Sequence, residues 1–81
     1  MEKYLIRLVM ADKLIRRRAT GNPKELAKKL DVSESTVFRL LRIMKENMGL
    51  TIEWSARHNS YQYASGSEKF NLEKFILAAQ E

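Results

Sequence analysis

The middle of the chain holds two short helical segments with almost no linker between them, and this limits the fold more than any other feature. The first segment begins at Asn22 and Pro23, because Asn is favoured at the N-cap of a helix and Pro at its first position. The second begins at Ser33, another favoured N-cap residue, and contains no Gly or Pro before Gly49, which we expect to cap its C-terminus. Because the turn between them is so short, we predict two helices packed against each other at a steep angle.

Both segments carry apolar residues at helical spacing, so each has one face suited to a core. Ala27 lies where the two helices would cross, and its small side chain permits a close approach. Val32 is expected to fill the turn, and Glu25 is placed to complete a capping box with Asn22. The predicted inward-facing residues are Leu26 and Leu30 in the first segment, and Val37, Leu40, Leu41, Met44 and Met48 in the second.

A longer helix is predicted over residues 2–18, which contain neither Pro nor Gly. A second apolar stripe, made of Ile6, Val9 and Met10, lies away from its main core face. We expect this stripe to be covered by a C-terminal helix or by a second subunit, unless it is simply a set of exposed aliphatic side chains. The run 16–18, three Arg residues, is predicted to be a solvated helix end favoured by the helix dipole. The main core face comprises Tyr4, Leu8, Ala11 and Ile15, with Leu5 and Leu14 at its edges.

After Gly49 the apolar residues recur at every second position instead of at helical spacing, which indicates strands. We predict one strand through residues 50–55, a turn over 55–59 and an antiparallel return strand over 60–63. The aromatic residues of this hairpin are expected to cover the helices rather than to form a ligand cage. They are Trp54, Tyr61 and Tyr63.

Beyond a short hinge at 65–67, Asn71 is suited to cap a final helix. The predicted fold is therefore mostly α within the α+β class, with three helices, a hairpin and one further helix. We expect residues 1–64 to form the main domain and residues 65–81 to form a hinge and helix that act as a dimer element. The apolar stripe of this last helix would be Leu72, Phe75, Ile76 and Ala79.

The length of 81 residues predicts a single domain of modest intrinsic stability. The chain has no Cys, which excludes disulfide bonds and thiol chemistry and is typical of a reducing compartment. No apolar run approaches the roughly 18 residues of a membrane span. The charged N-terminus also differs from a signal peptide. We therefore expect a cytoplasmic protein without membrane association.

Positive charge is concentrated in the first part of the chain. The first 48 residues hold 12 Lys and Arg against 6 Asp and Glu, whereas the rest of the chain holds 3 against 4. A basic surface of this kind favours an anionic partner, and nucleic acid is the usual one.

Sequence signatures of catalysis are absent. His58 is the only His, there is no Cys to pair with it, and no Gly-rich phosphate loop or metal-ligand cluster occurs. No two carboxylates share a predicted buried face. We expect a binding module that is not an enzyme and uses no cofactor or metal.

The two central segments contain the run Leu26-Ala27-Lys28-Lys29-Leu30-Asp31-Val32-Ser33-Glu34-Ser35-Thr36-Val37-Phe38-Arg39. This run is similar to the signature of winged helix-turn-helix domains of the DeoR type, which are found in bacterial transcriptional regulators. The resemblance covers roughly residues 3 to 64, and the predicted hairpin matches the family's wing in place and in order. It implies a winged helix, which is a three-helix bundle with a helix-turn-helix motif and a β-hairpin wing, here followed by an extra C-terminal helix.

Two residues depart from the family pattern. Asp31 stands in the turn where Gly is usual, and because Asp tolerates a positive φ we expect the turn to be intact. Glu34 stands where related recognition helices often carry Arg or a neutral polar residue. A carboxylate there can accept a hydrogen bond from cytosine, but we favour a role at the helix N-terminus through the dipole, at some cost to DNA affinity.

The resemblance implies sequence-specific binding of double-stranded DNA, with the second helix of the motif in the major groove. Ser35 and Arg39 are then the candidates for base edges, since Arg can bind guanine through two hydrogen bonds. Thr36 and Phe38 would contact the DNA backbone or a thymine methyl group, and Arg42 lies on the same exposed face. Phosphate contact is expected from Lys24 at the start of the preceding helix. At the wing tip, backbone or minor-groove contact is expected from Arg57, His58 and Asn59.

Two other functions compete with DNA binding. Winged helices also serve as protein-interaction modules, in which case the second helix would pack on an acidic partner and Phe38 would be an anchor. A third possibility is an assembly role through the first and last helices. The residues after the wing are too few for a sensor domain, so no small-molecule effector is expected. A homodimer through the first and C-terminal helices is the hypothesis for oligomeric state.

Overall fold

The computed structural model describes residues 2–66, which form three helices followed by a two-stranded antiparallel hairpin. This confirms the mixed α+β class and the predicted order of these five elements. The predicted final helix and its proposed dimer role fall on residues 67–81, which lie outside the described residues. The elements are α1 (Glu2–Arg16), α2 (Pro23–Leu30), α3 (Glu34–Glu46), β1 (Ile52–Ser55) and β2 (Ser60–Tyr63).

Both predicted N-caps are confirmed. The Asn22 side chain accepts a hydrogen bond from the Glu25 backbone N–H (2.8 Å), and the Glu25 carboxylate accepts one from the Asn22 backbone N–H (3.0 Å). These two bonds complete the predicted capping box at the start of α2. At the start of α3, the Ser33 hydroxyl accepts a hydrogen bond from the Thr36 backbone N–H (3.2 Å). Local side-chain bonds therefore fix where both central helices begin.

The turn between α2 and α3 is intact despite the missing Gly. Asp31 adopts a left-handed conformation with φ 56°. The backbone N–H of Val32 donates to the Ala27 carbonyl (3.0 Å), and that of Asp31 donates to the Lys28 carbonyl (3.2 Å). This pair of bonds closes the C-terminus of α2 in a Schellman arrangement. The chain consequently reverses within three residues, and α3 packs directly on α2.

The other two helices end earlier than predicted. α1 ends at Arg16 rather than at residue 18, because Arg18 adopts a left-handed conformation with φ 53° and lets the chain leave the helix. α3 ends at Glu46, with Asn47 as its C-cap. Gly49 does take a positive φ of 66°, but it lies in the link to the hairpin rather than directly at the helix end.

The core forms where the three helices meet the inner face of the hairpin. Tyr4, Met48 and Tyr61 are half-buried against it. In the second apolar stripe of α1, Met10 packs against the core, whereas Ile6 keeps 55% of its surface exposed. The structure thus leaves mainly Ile6 uncovered. The buried apolar residues are Leu8, Ala11, Ile15, Leu26, Ala27, Leu30, Val37, Leu40, Leu41, Met44, Leu50, Ile52 and Tyr63.

A buried pair of hydroxyls joins the hairpin to the link between α1 and α2. The side-chain oxygens of Thr20 and Ser60, both fully buried, lie 2.9 Å apart. The Thr20 backbone N–H donates to the Ser60 hydroxyl (3.0 Å), and the Tyr61 backbone N–H donates to the Thr20 hydroxyl oxygen (2.9 Å). These bonds hold β2 beside the α1–α2 link and so fix the hairpin relative to the helices.

A second polar contact ties α1 to β2. The Tyr63 hydroxyl donates to the carboxylate of Asp12, which is buried, and Arg16 pairs with the same carboxylate at 3.0 Å. The Arg16 guanidinium also lies over the Tyr63 ring, 5.3 Å from its centroid. Burial, followed by the Asp12 hydrogen bond and charge, raises the pKa of Tyr63, so its hydroxyl stays a donor.

The hairpin pairs Ile52 with Tyr63 and Trp54 with Tyr61 across its inner face, and the turn comprises residues 56–59. The expectation that all three aromatic residues cover the helices is correct for Tyr63 and Tyr61 and wrong for Trp54. Trp54 keeps 45% of its surface exposed and packs edge-on against its cross-strand partner Tyr61.

Candidate nucleic-acid interface

α3 has one face fixed in the core and the opposite face exposed. Val37, Leu40, Leu41 and Met44 are each no more than 5% exposed, so the helix cannot roll without opening the core. The opposite side shows Ser35, Phe38, Arg39 and Arg42 to solvent. The structure therefore brings four of the predicted site residues to one rigid surface.

Arg39 is oriented by a residue of α1. Its guanidinium donates a hydrogen bond to the Tyr4 hydroxyl at 3.0 Å, across 35 positions of sequence. Arg39 itself is exposed, so its remaining N–H groups are accessible to a ligand. The bond limits the number of rotamers that Arg39 adopts, and it keeps the guanidinium over the flank of α3 that faces α1.

The other flank of α3 borders the hairpin. Here Phe38, Arg42 and Lys45 line an open groove of about 320 Å³ together with Leu41, Glu46 and Tyr61. We call this the α3–hairpin groove. Two cations and an exposed ring on the helix thus face an aromatic residue of β2. The interaction of this groove with an anion is electrostatically favoured, although Glu46 reduces the net positive charge at one end.

Thr36 differs from its neighbours on α3. Its side chain is half-buried, its hydroxyl lies 3.0 Å from that of Ser33, and it lines a separate cleft with Tyr4 and Arg7. The Thr36 hydroxyl is therefore engaged at the cap of its own helix. Ser35 stays exposed one position earlier and is the better placed of the two hydroxyls for a ligand.

Lys24 lies in the first turn of α2, exposed and next to the capping box. The same helix end touches the hairpin turn, since the Asn59 amide donates to the Glu25 carboxylate at 3.4 Å. The fold thus brings Lys24 and the hairpin turn into one region. The pKa of Glu25 lies below its ordinary value, chiefly because the Asn22 backbone N–H donates to it, with further contributions from Asn59, Lys29 and Lys28.

Besides Asn59, which donates to Glu25, the turn of the hairpin exposes the other two predicted wing-tip residues, Arg57 and His58. The His58 ring is already in contact with its own turn, because its Nδ1 lies 3.0 Å from the Ser55 hydroxyl. The Ser55 hydroxyl also accepts a hydrogen bond from the His58 backbone N–H (3.3 Å). Arg57 is the more available of the two for an anionic ligand.

The Arg run at the end of α1 is not the uniformly solvated end that the sequence predicts. Arg16 pairs with Asp12, and the Arg18 guanidinium donates to the Gln62 side chain at 3.0 Å. Arg16 and Arg18 both contact side chains of β2, yet Arg18 is exposed like Arg17, so the prediction of an exposed end is wrong only for the half-buried Arg16. Two of these three charges therefore hold the hairpin against α1.

Sequence reasoning missed three residues of this surface. Lys45 is seven positions after Phe38, two helical turns on, so helical spacing alone would have placed both on the same flank of α3. Strand alternation had predicted that the Trp54 side chain faces the helices. Nothing in the sequence signalled the contact of Tyr4 with Arg39, because it depends on how α1 crosses α3.

Within residues 2–66, no group of His, Asp and Glu side chains is arranged to hold a metal ion. No helix of this part of the chain is long and apolar enough to cross a membrane.

Comparisons with known proteins give no relative: no family model matches the chain, and neither a curated protein nor a solved structure matches it.

Proposed function

We propose that this chain is a winged helix-turn-helix module that binds double-stranded DNA sequence-specifically, with α3 as the recognition helix and the β1–β2 hairpin as the wing. One observation carries the proposal: α3 is locked in the core on one side and presents Ser35, Arg39 and Arg42 together on the other. A rigid helix with a polar and cationic outer face is what major-groove reading requires.

The arrangement of elements supports the same proposal. α2 and α3 are joined by a tight turn and pack closely, as in helix-turn-helix motifs. The hairpin follows α3 directly and borders its outer flank through Tyr61. With α3 in the major groove, the hairpin would lie beside the adjacent backbone and minor groove.

Each exposed cation has a role in this binding mode. Arg39 would hydrogen-bond a guanine edge, with the Tyr4 hydroxyl holding its guanidinium in place. Arg42 and Lys45 would neutralise phosphates along the α3–hairpin groove. Lys24 would contact a phosphate at the start of α2, and Arg57 would reach DNA from the hairpin turn.

Glu34 lies in the first turn of α3 and is exposed. Its carboxylate is favoured there by the helix dipole, yet it would lie close to the phosphates in this mode. We infer that Glu34 lowers non-specific affinity, so that binding depends more on the base contacts of Arg39. This balance suits a bacterial transcriptional regulator that must select one site among many.

The proposal is tested by selecting duplexes from a random pool and measuring binding by fluorescence anisotropy. Arg39→Ala should bind the selected site about 5- to 100-fold more weakly, because one good base contact contributes about 1–3 kcal/mol. Arg17→Ala is the matched control, since it removes the same charge from an exposed site at the end of α1. Equal binding by both variants, or no selection of any site, would overturn the proposal.

The second candidate function is a protein-interaction module. Phe38, 53% exposed on the same face as Glu34 and Glu46, is the observation that favours it. In this case Phe38 would insert into a partner, and the complex would survive high salt. DNA binding should instead weaken steeply as salt rises, because counterions are released from the phosphates. A salt series on the measured complex therefore separates the two functions.

A further inference from the structure

Three aromatic residues lie on the outer side of α3 and on the hairpin next to it, and Tyr61 is close to both of the others. Tyr61 lines the α3–hairpin groove together with Phe38, and its ring centroid lies 5.2 Å from that of Trp54 in an edge-to-face contact. Phe38 is 53% exposed and Trp54 is 45% exposed, which makes them two of the three most exposed large apolar side chains among residues 2–66. The third, Ile6, lies on α1.

The fold gives little reason for the exposure of Trp54. Its cross-strand partner Tyr61 is half-buried against the core, while the next pair on the same face of the hairpin, Ile52 with Tyr63, is buried. Trp54 therefore stabilises the hairpin mainly through one ring contact and leaves much of its indole in water. An exposed ring of this size next to a proposed binding face is typical of an interface residue.

Cations border these rings. Among the described residues, Arg42 and Lys45 line the same groove as Phe38 and Tyr61, together with the carboxylate of Glu46. Apolar surface between positive charges is complementary to a sugar–phosphate strand, in which apolar deoxyribose faces alternate with phosphates. An acidic peptide would meet the same cations, and we choose the DNA strand because it is the partner of the proposed function.

We infer that the α3–hairpin groove binds one sugar–phosphate strand of a DNA duplex, and that Trp54, which contacts the groove residue Tyr61, extends the apolar surface that meets the deoxyribose. The inference rests on the proposed function and adds a residue outside the recognition helix to it. Arg42 and Lys45 bind phosphates on the α3 side. Phe38 and Trp54 pack on the sugars that lie between these phosphates. The hairpin thus binds DNA through its strand face as well as through its turn.

Trp54 is the only Trp of the chain, so its fluorescence reports this contact directly. A labelled random-sequence duplex is titrated at low salt while anisotropy reports binding and Trp54 emission is recorded. We expect the emission to change with the same midpoint as the anisotropy. Bound duplex should also reduce acrylamide quenching of Trp54 at least twofold.

Variants then measure the contribution of the contact. Trp54→Ala should weaken duplex binding about fivefold to tenfold with an unchanged salt slope, because an apolar contact is lost rather than a charge. Ile6→Ala, which truncates an equally exposed apolar residue on α1, should bind as the wild type does. Urea unfolding of Trp54→Ala, followed by circular dichroism, checks that the hairpin variant is folded.

The outcomes separate this inference from the proposed function. Anisotropy that shows binding while Trp54 emission and acrylamide quenching stay constant would overturn the inference alone. Equal affinity of folded Trp54→Ala and Ile6→Ala would do the same. No anisotropy change at low salt would overturn the proposed function, and this inference with it.

Discussion

The guanidinium of Arg39 on α3 donates a hydrogen bond to the hydroxyl of Tyr4 on α1 at 3.0 Å. The residue proposed to read a base is thereby oriented by a residue of a different helix. Preorganisation of this kind lowers the entropy lost when a long side chain binds. Tyr4 is therefore a positioning residue in our account.

Tyr4→Phe removes the acceptor and keeps the ring that packs against the core. We expect the ratio of affinities for a selected site and a scrambled duplex to fall about twofold to tenfold, the range of one exposed hydrogen bond. The salt slope on random duplex should not change, since no charge is lost. An unchanged ratio in competition anisotropy would show that Arg39 does not need Tyr4.

Substitution of Gly21 by Ala tests the capping box at the start of α2, and the same substitution at Gly49 is its control. Both have a positive φ, 71° and 66°, but a Cβ at Gly21 would lie 2.8 Å from the Glu25 Cβ, whereas a Cβ at Gly49 meets nothing within 4 Å. Gly49→Ala should lose about 1 kcal/mol of unfolding free energy from backbone strain alone. Gly21→Ala should lose about 1 kcal/mol more, because it also displaces the carboxylate that completes the box. Equal losses in urea unfolding would mean that Glu25 moves aside without cost.

Ser60→Ala removes the partner of two buried groups of Thr20, its backbone N–H and its hydroxyl. The Thr20 hydroxyl keeps its bonds to the Gly21 carbonyl and the Tyr61 backbone N–H, so the Thr20 backbone N–H is the buried group left unpaired. This should lower the free energy of unfolding by about 1–3 kcal/mol. Ser65→Ala, at an exposed position, should change it by less than about 0.5 kcal/mol. If both variants unfold at the same urea concentration, water replaces the lost hydroxyl and the pair does not fix the hairpin.

The Glu25 carboxylate should make the stability of the fold depend on pH, with higher stability above its pKa. Its pKa is lower in the folded protein than its ordinary value of 4.5, so its ionised form stabilises the fold above that pH. The stabilisation should disappear as the pH falls through the folded pKa, below 4.5. Melting temperatures of wild type and Glu25→Gln should therefore differ near neutral pH and converge in acid. A difference that persists unchanged in acid would contradict this assignment.

Helix starts were the part of the fold most accessible from sequence. Asn22 and Ser33 could be assigned as N-caps because each bonds a backbone N–H only three residues away. Such short-range chemistry needs no knowledge of the remaining fold. The positive φ of Asp31 was expected instead from the resemblance to helix-turn-helix domains, in which Gly is usual at this position of the turn.

Long-range contacts were not accessible in this way. Asp12 reads as a solvated charge on α1, yet it is buried because Tyr63, 51 positions later, donates to it. Trp54 has the strand alternation of a core residue, yet it keeps 45% of its surface exposed although its cross-strand partner Tyr61 packs against the core. Within the candidate site, the exposed face of α3 follows from helical periodicity, whereas the Tyr4 contact of Arg39 depends on tertiary packing.

The most direct test of the central claim is a map of the DNA-binding surface. Amide ¹H–¹⁵N chemical shifts of the folded chain are followed during titration with a short duplex. The account predicts the largest changes along the outer face of α3, at the start of α2 and at the hairpin around Trp54 and Arg57, with little change near Ile6. Changes confined to the Ile6 side of α1, or no changes at saturating duplex and low salt, would contradict it.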